Sequence, residues 1–180
     1  MDSYNDHAVT CKHEPHTIPR HDRMPYVKNI IANEVGLKSH LKKTGLIVGR
    51  KDCPIDILLP MFCVGQDACL NSVITHLLQP TFIDRVVGKS LVVAKAAAAK
   101  KHSDNEEKCR CNDLRLIAMP WETFDGSAPK TRIMIRKIAI RHANKHNRPR
   151  GQTIYQINQR LSVTLQRNVE EQLIACECVG

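Results

Sequence analysis

Two short apolar runs on either side of a turn constrain the fold of this chain more than any other feature. Ile55 to Phe62 and Leu70 to Thr75 have the length and the β-branched content that are typical of strands. Gly65-Gln66-Asp67 lies between them and has the composition of a turn. The pattern therefore predicts a β-hairpin. Pro60 and Pro80 are expected at strand edges or exits, because proline cannot donate a ladder hydrogen bond.

Apolar periodicity predicts the remaining secondary structure. The expected elements are a helix that begins after Pro25 and stops at Gly36, a strand over Gly45 to Val48, a helix over Ser90 to Cys109 with Ser90 as its cap, a strand over Leu114 to Met119 closed by Pro120-Trp121-Glu122, a helix from Pro129, and a last helix beyond Pro149-Arg150-Gly151. This order favours an α/β (α+β) fold, a mixed sheet of about four strands flanked by helices. The strand that follows the second helix can join the sheet by a crossover connection.

Length and composition predict one globular domain with a tail. We expect a His/Cys-rich and flexible segment over residues 1–23, a core over 24–125, and a basic helical tail over 126–180, packed on the core or extending it. The apolar runs are too short to span a membrane, and the N-terminus is polar, so a membrane partner is not expected. The eight cysteines are scattered or form C-x-C pairs, which indicates free thiols in an intracellular protein of the nucleus or cytoplasm.

The net charge of +9 is concentrated in one segment. From Gly126 to Val169 there is no Asp or Glu, and there are ten Lys and Arg residues. Because a solvated face usually mixes both signs, this segment predicts a polyanion partner, with DNA expected in preference to RNA. The candidate nucleic-acid-binding residues are Arg132, Arg136, Lys137, Arg141, Lys145, Arg148 and Arg150. The alternative is that these cations only keep the protein soluble. The sequence does not indicate an oligomeric state.

Polar residues at the start of the hairpin strands point to a family. Asp56 opens the first strand, and Asn71 holds the matching place in the second. An acid in each of two hairpin strands with a lysine beyond is the PD-(D/E)XK nuclease pattern. Five segments of the chain stand in the same order as their counterparts in one nuclease family: DHAVTCKHEPHTIPRHDRM, PIDILLP, LNSVITH, AAAAKKH and LIAMPWETFDG. From about His7 to Gly126 the chain resembles, in truncated and diverged form, the restriction-like endonuclease region C-terminal to the reverse transcriptase of non-LTR retrotransposons.

This resemblance implies Mg²⁺-dependent hydrolysis of DNA phosphodiesters as the ancestral activity. Mg²⁺ prefers charged oxygens, so an amide at Asn71 in place of the second acid indicates lost activity. The candidate catalytic residues that the resemblance implies are Asp56 as the Mg²⁺ ligand, Asn71, Lys100 or Lys101 as the positioned lysine, Glu122, and Glu34 facing the same site. The alternatives are that Asp56 is a turn residue, and that the two lysines lie on a solvated helix end.

The N-terminal histidines and cysteines raise the question of zinc. His7-x3-Cys11 resembles the downstream half of a zinc knuckle. Structural zinc needs four ligands, and the family's upstream cysteine pair has no counterpart here. Zinc is therefore not expected, and His7 and Cys11 are interpreted as the remnant of a metal site.

Three functions stay open at this point. The chain is a retroelement-derived nuclease domain, active or inactive, or a non-catalytic nucleic-acid-binding module of the same fold, or a relic with no activity. Fold alone does not separate them, because function depends on the site.

Overall fold

The computed structural model describes residues 14–47, 55–75, 91–123 and 126–177. In chain order their elements are α1 Glu14–Glu34, β1 His40–Leu41, β2 Ile57–Cys63, β3 Gln66–Thr75, α2 Val92–Arg110, β4 Leu114–Glu122, α3 Pro129–Lys145 and α4 Arg150–Glu177. The strands form one sheet in the order β1-β2-β3-β4. β1, β2 and β3 pair antiparallel, and β3 and β4 pair parallel. The predicted α+β class, with a mixed four-stranded sheet flanked by helices, is confirmed.

The predicted hairpin is formed by β2 and β3. Ile57 pairs with Leu70 and Leu59 with Ala68, and the register then shifts before Cys63 pairs with Gln66. Pro60 lies in this irregular stretch, and β1 pairs only with the first two residues of β2. Among the described residues, Pro60 has no ladder partner on either side, which explains how a proline is tolerated within the strand.

Two of the predicted element boundaries at the N-terminal side were wrong. α1 begins at Glu14 instead of after Pro25, which lies buried inside the helix. The described part of the predicted strand at Gly45 to Val48, residues 45–47, is not a strand, and His40–Leu41 pairs with β2 instead. Ile47 is nevertheless buried, so this apolar run packs on the protein without pairing. The predicted cap at Ser90, Pro80 and the segment containing His7 and Cys11 lie outside the described residues.

The prediction that Pro120-Trp121-Glu122 closes the last strand was also wrong, because these three residues belong to β4, which ends at Glu122. The carbonyl of Pro120 accepts the Ala128 N–H at 3.3 Å, on the side away from β3. A strand residue points its N–H and C=O the same way, so the N–H that Pro120 lacks would face this outer edge. The proline therefore removes no bond of the β3–β4 ladder.

The helices cover the two faces of the sheet unequally. α1 and α3 pack on one face, and α4 packs against both of these helices. The larger core lies between them and includes Ile57, Leu70, Met119, Trp121, Ile138 and Leu161. α2 covers the other face over a smaller cluster of Ile55, Leu58, Cys69, Cys109 and Leu116. Among the described residues, no helix combines the length and the apolar character needed to cross a bilayer.

Candidate functional site

The hairpin register brings Asp56 beside the second strand, where the sequence predicts its partner. Since Ile57 pairs with Leu70, Asp56 lies one residue further, level with Asn71. Its backbone N–H donates to the Leu70 carbonyl at 2.9 Å, and its Oδ2 accepts the backbone N–H of Ser72. The residue is only 6% exposed. The buried carboxylate is thus held by the backbone of the neighbouring strand, as a buried charge requires.

A lysine that sequence analysis missed lies next to this carboxylate. Lys28 of α1 is 4% exposed, and its Nζ donates to Ser72 Oγ at 2.9 Å. The ammonium also lies 5.3 Å from the centre of the Trp121 ring, within the range of a cation–π contact. We call Lys28, Asp56, Ser72 and Trp121 the acid–lysine cluster.

Burial changes the acid–base behaviour of Lys28. Removal from water lowers the pKa of Lys28 from its usual 10.5 to about 7, although the nearby charge of Asp56 opposes this change. The sequence does carry a signal for the burial. Lys28 is four residues after Met24 and three before Ile31, both of which are buried, so it occupies a position on the apolar stripe of the helix.

Glu122 lies away from the acid–lysine cluster. It pairs with Thr75, four residues along β3 from Asn71, which corresponds to about 13 Å along the strand. Its Oε1 accepts the Ala94 N–H at 3.1 Å in the first turn of α2, where Leu91 at the N-cap makes no side-chain cap bond. The carboxylate therefore satisfies a free N–H at a helix N-terminus, where negative charge is stabilising.

The two predicted active-site lysines lie on α2. Lys100 is exposed, and its Nζ is 3.6 Å from the Asp104 carboxylate one turn further on. Lys101 is partly exposed. Among the contacts of the described residues, neither lysine reaches Asp56, and the lysine near that acid is Lys28 instead.

Glu34 belongs to a different cluster, between the helices. Its carboxylate accepts two hydrogen bonds from Arg160 Nη1 of α4, at 3.1 and 3.2 Å, and lies 3.8 Å from His142 Nε2 of α3. Burial, followed by the charge of His146, lowers the pKa of His142. Six residues separate Glu34 from Lys28, or about 9 Å along the helix axis. Glu34 thus ties three helices together at a distance from the acid–lysine cluster.

The structure does not bring together the two carboxylates, Asp56 and Glu122, that the resemblance implies. Within the described residues, no three His, Cys, Asp or Glu side chains come close enough to share a metal ion. Asp56 accepts a hydrogen bond from Ser72 of β3, whereas Glu122 accepts one from Ala94 of α2. The amine of Lys28 is close enough for the charge of Asp56 to oppose the lowering of its pKa, but burial dominates and brings that pKa to about 7. The predicted zinc-remnant residues, His7 and Cys11, lie outside the described residues.

The acid-free segment places its cations on the surface. All ten Lys and Arg residues between 126 and 169 are exposed. Four of them on α3 form what we call the basic face, and within the described residues none of the four makes an ion pair. The basic face consists of Lys130, Arg132, Arg136 and Lys137. At 100° per residue, Arg132 and Arg136 lie on one flank of the exposed surface and the two lysines on the other, with Ile133 between them, 57% exposed.

Three other predicted nucleic-acid-binding residues have partners within the chain. The guanidinium of Arg141 lies 4.5 Å from the centre of the Phe62 ring. Lys145 Nζ donates to the Glu34 carbonyl at 2.7 Å, and Arg150 Nε donates to Asn144 Oδ1 at 3.4 Å. Arg148 is exposed and has no ion pair within the described residues. The predicted set therefore divides into cations that hold the structure and cations that are available to a ligand.

Comparisons of this chain with protein-family models, with curated proteins and with solved structures find no match. The case for a function therefore depends on the residues and contacts described above.

Proposed function

We propose that this protein is a non-catalytic nucleic-acid-binding module of retroelement origin, built on a nuclease-like sheet whose metal site has been lost. The observation that carries the proposal is the basic face. It presents four exposed cations on one helix, within a segment of the chain that has no carboxylate.

The dimensions of the basic face suit a phosphate backbone. Lys130 and Lys137 are seven residues apart, which is about 10 Å along α3. Over that length a DNA duplex carries about six negative charges, because it has one charge per roughly 1.7 Å of axis. Four cations without internal carboxylate partners can therefore each meet a phosphate. Contacts of this kind position a protein on nucleic acid but carry no sequence information, so we expect little sequence preference.

The acid–lysine cluster supports the non-catalytic part of the proposal. Mg²⁺ binds where carboxylates supply negative charge and where waters can complete its coordination. Asp56 is buried and bonded to the Ser72 N–H, with the amine of Lys28 nearby. Asn71 adds no charge, and Glu122 is bonded to the first turn of α2. We therefore expect binding of DNA without cleavage.

The test measures binding and cleavage separately. A labelled DNA duplex is titrated with the protein at several salt concentrations, and supercoiled plasmid is incubated with it in Mg²⁺ or Mn²⁺. The double variant Arg132→Glu with Arg136→Glu reverses two charges of the basic face and should weaken binding to all duplex sequences alike. The matched control is Lys100→Glu with Lys101→Glu, which changes the net charge equally but on α2, across the sheet from α3.

The outcomes separate the candidate functions. Binding that is lost in the α3 variant and retained in the α2 variant supports the proposal. Metal-dependent nicking of plasmid that Asp56→Ala abolishes would overturn its non-catalytic part. Equal binding by both variants would overturn the role of the basic face, and an RNA duplex of the same sequence tests the preference for DNA.

A further inference from the structure

A cleft of about 390 Å³ lies at the end of the sheet where the β2–β3 hairpin turns. Cys63 pairs with Gln66 beside the turn. β4 starts at the same end, because Leu114 pairs with Asp67 in parallel register. The end of β2 with its turn, the start of β4 and the first half of α3 all line the cleft, together with His102 of α2. The cleft is therefore built from several distant parts of the chain.

The cleft carries positive charge that has no internal partner. Arg115 of β4 and Lys130 and Lys137 of α3 line it, and all three are exposed. Within the described residues none of the three makes an ion pair, and no Asp or Glu is among the described lining residues. The two lysines are seven residues apart, or about 10 Å along α3. This spacing suits neighbouring phosphates of one strand better than a single phosphate.

Accessible apolar side chains lie among these cations. Val64 in the turn is fully exposed, Ile133 of α3 is 57% exposed, and Ile117 of β4 is partly exposed. A ligand that fits the cleft therefore combines negative charge with an apolar part. The volume is near the lower end of the range for small-ligand pockets, about 300–1,000 Å³, and suits one nucleobase better than a base pair.

The cleft adjoins the basic face, because Lys130 and Lys137 belong to both. A strand whose phosphates lie on the basic face would pass the mouth of the cleft. In a duplex the bases are stacked inside the helix, whereas an unpaired base can leave the stack at little cost. Binding surfaces for single strands combine a cationic groove with side chains on which bases lie.

We propose that the cleft binds one unpaired nucleotide of a nucleic-acid strand, with its base on the accessible apolar side chains and the neighbouring phosphates on the three cations. This inference rests on the proposed function and adds to it a preference for unpaired strands over blunt duplexes. Contact with the face of a base is tolerant of sequence, so the identity of the base matters little.

The first measurement separates the base from the charge. A fluorescein-labelled thymidine strand of about ten nucleotides, within the site size of single-strand-binding domains, is compared by anisotropy with a strand of the same length that has no bases. The wild type should bind the thymidine strand about tenfold more tightly, the factor that one stacked base contributes.

Matched variants locate this difference. Arg115→Gln with Ile133→Ala should remove most of it and leave the binding of a blunt duplex unchanged. Lys100→Gln with Val163→Ala is the control, because it makes equivalent changes at exposed helix residues outside the cleft and should keep the full difference.

The second measurement reports occupancy of the cleft. Cys63 is a partly exposed free thiol in the lining, so a bound nucleotide should slow its alkylation by iodoacetamide, measured by peptide mass spectrometry. Alkylation of Cys111, which is exposed and outside the cleft, should be unchanged. Thymidine monophosphate at the same concentration should not protect Cys63, because it lacks the other phosphates of the strand. Oligoglutamate of equal charge should not protect it either.

The outcomes separate this site from the basic face. Equal affinity for the two strands, a cleft variant that keeps the full difference, or protection of Cys63 by oligoglutamate would overturn the nucleotide site, and duplex binding by the basic face would stand. Protection by thymidine monophosphate would overturn the requirement for a strand. Absence of both duplex and strand binding at low salt would overturn the proposed function and this inference with it.

Discussion

Replacing the buried lysine of the acid–lysine cluster should change how the stability of the protein depends on pH. Lys28 is 4% exposed, and burial lowers its pKa from 10.5 to about 7. Lys28→Met retains an unbranched side chain of similar length and removes the titrating amine. It also removes the hydrogen bond to Ser72 Oγ. That loss lowers the free energy of unfolding by the same amount at every pH, so it adds no pH-dependent slope.

The magnitude follows from proton linkage. Between about pH 7 and pH 10.5 the unfolded chain binds a proton on Lys28 that the folded chain has released. The free energy of unfolding therefore rises with pH through this window and is flat, for this group, below and above it. A change of 3.5 pKa units at about 1.4 kcal/mol each corresponds to about 5 kcal/mol. Lys28→Met should lack this rise, so the stability of the variant relative to the wild type falls as pH increases.

Urea denaturation at a series of pH values measures both curves. Lys100→Met is the matched control, because Lys100 is exposed and its removal should leave the slope of the wild type unchanged. If the wild type and Lys28→Met give parallel curves between pH 7 and pH 10, the pKa of Lys28 is not lowered by burial as described.

Three further predictions concern other contacts. Glu122→Ala leaves the Ala94 N–H without its acceptor and should lower the free energy of unfolding by about 1–3 kcal/mol in urea, whereas Glu122→Gln keeps an oxygen and should lower it less. Asn71→Asp restores the family's second acid but buries another charge level with Asp56, so it should lower the melting temperature, and addition of Mg²⁺ should not raise it again; a clear rise would restore the metal site. Cys69 and Cys109 are buried free thiols, so reductant should leave the melting temperature unchanged, and a loss of stability would reveal a structural disulfide.

The order of the elements could be predicted because each depends on local pattern. The hairpin follows from two apolar runs around Gly65, whose φ of +73° suits glycine. The start of α3 at Pro129 follows from the preference of proline for the first helical turn. The start of α1 was missed, because residues 14–23 have no clear apolar stripe and contain Pro19, which argues locally against a helix.

The candidate site was less predictable, because its contacts join distant parts of the chain. Asp56 and Asn71 could be aligned from the hairpin alone. Periodicity places Lys28 on the apolar stripe of α1, but its contact with Ser72 depends on how α1 packs against β3, which periodicity does not determine. The ion pair of Glu34 is equally hard to predict, since its partner Arg160 lies on α4. Both residues contact helices or strands that are distant from them in the sequence.

The central claim is that the basic face binds phosphates, and the salt dependence of duplex binding tests it most directly. Four cations on four phosphates predict that the logarithm of the binding constant falls against the logarithm of salt concentration with a slope of about −4. Arg132→Glu with Arg136→Glu should reduce the slope to about −2 or less, while Lys100→Glu with Lys101→Glu should leave it unchanged. A wild-type slope near zero, no binding at low salt, or an α3 variant whose slope equals that of the wild type would contradict the claim.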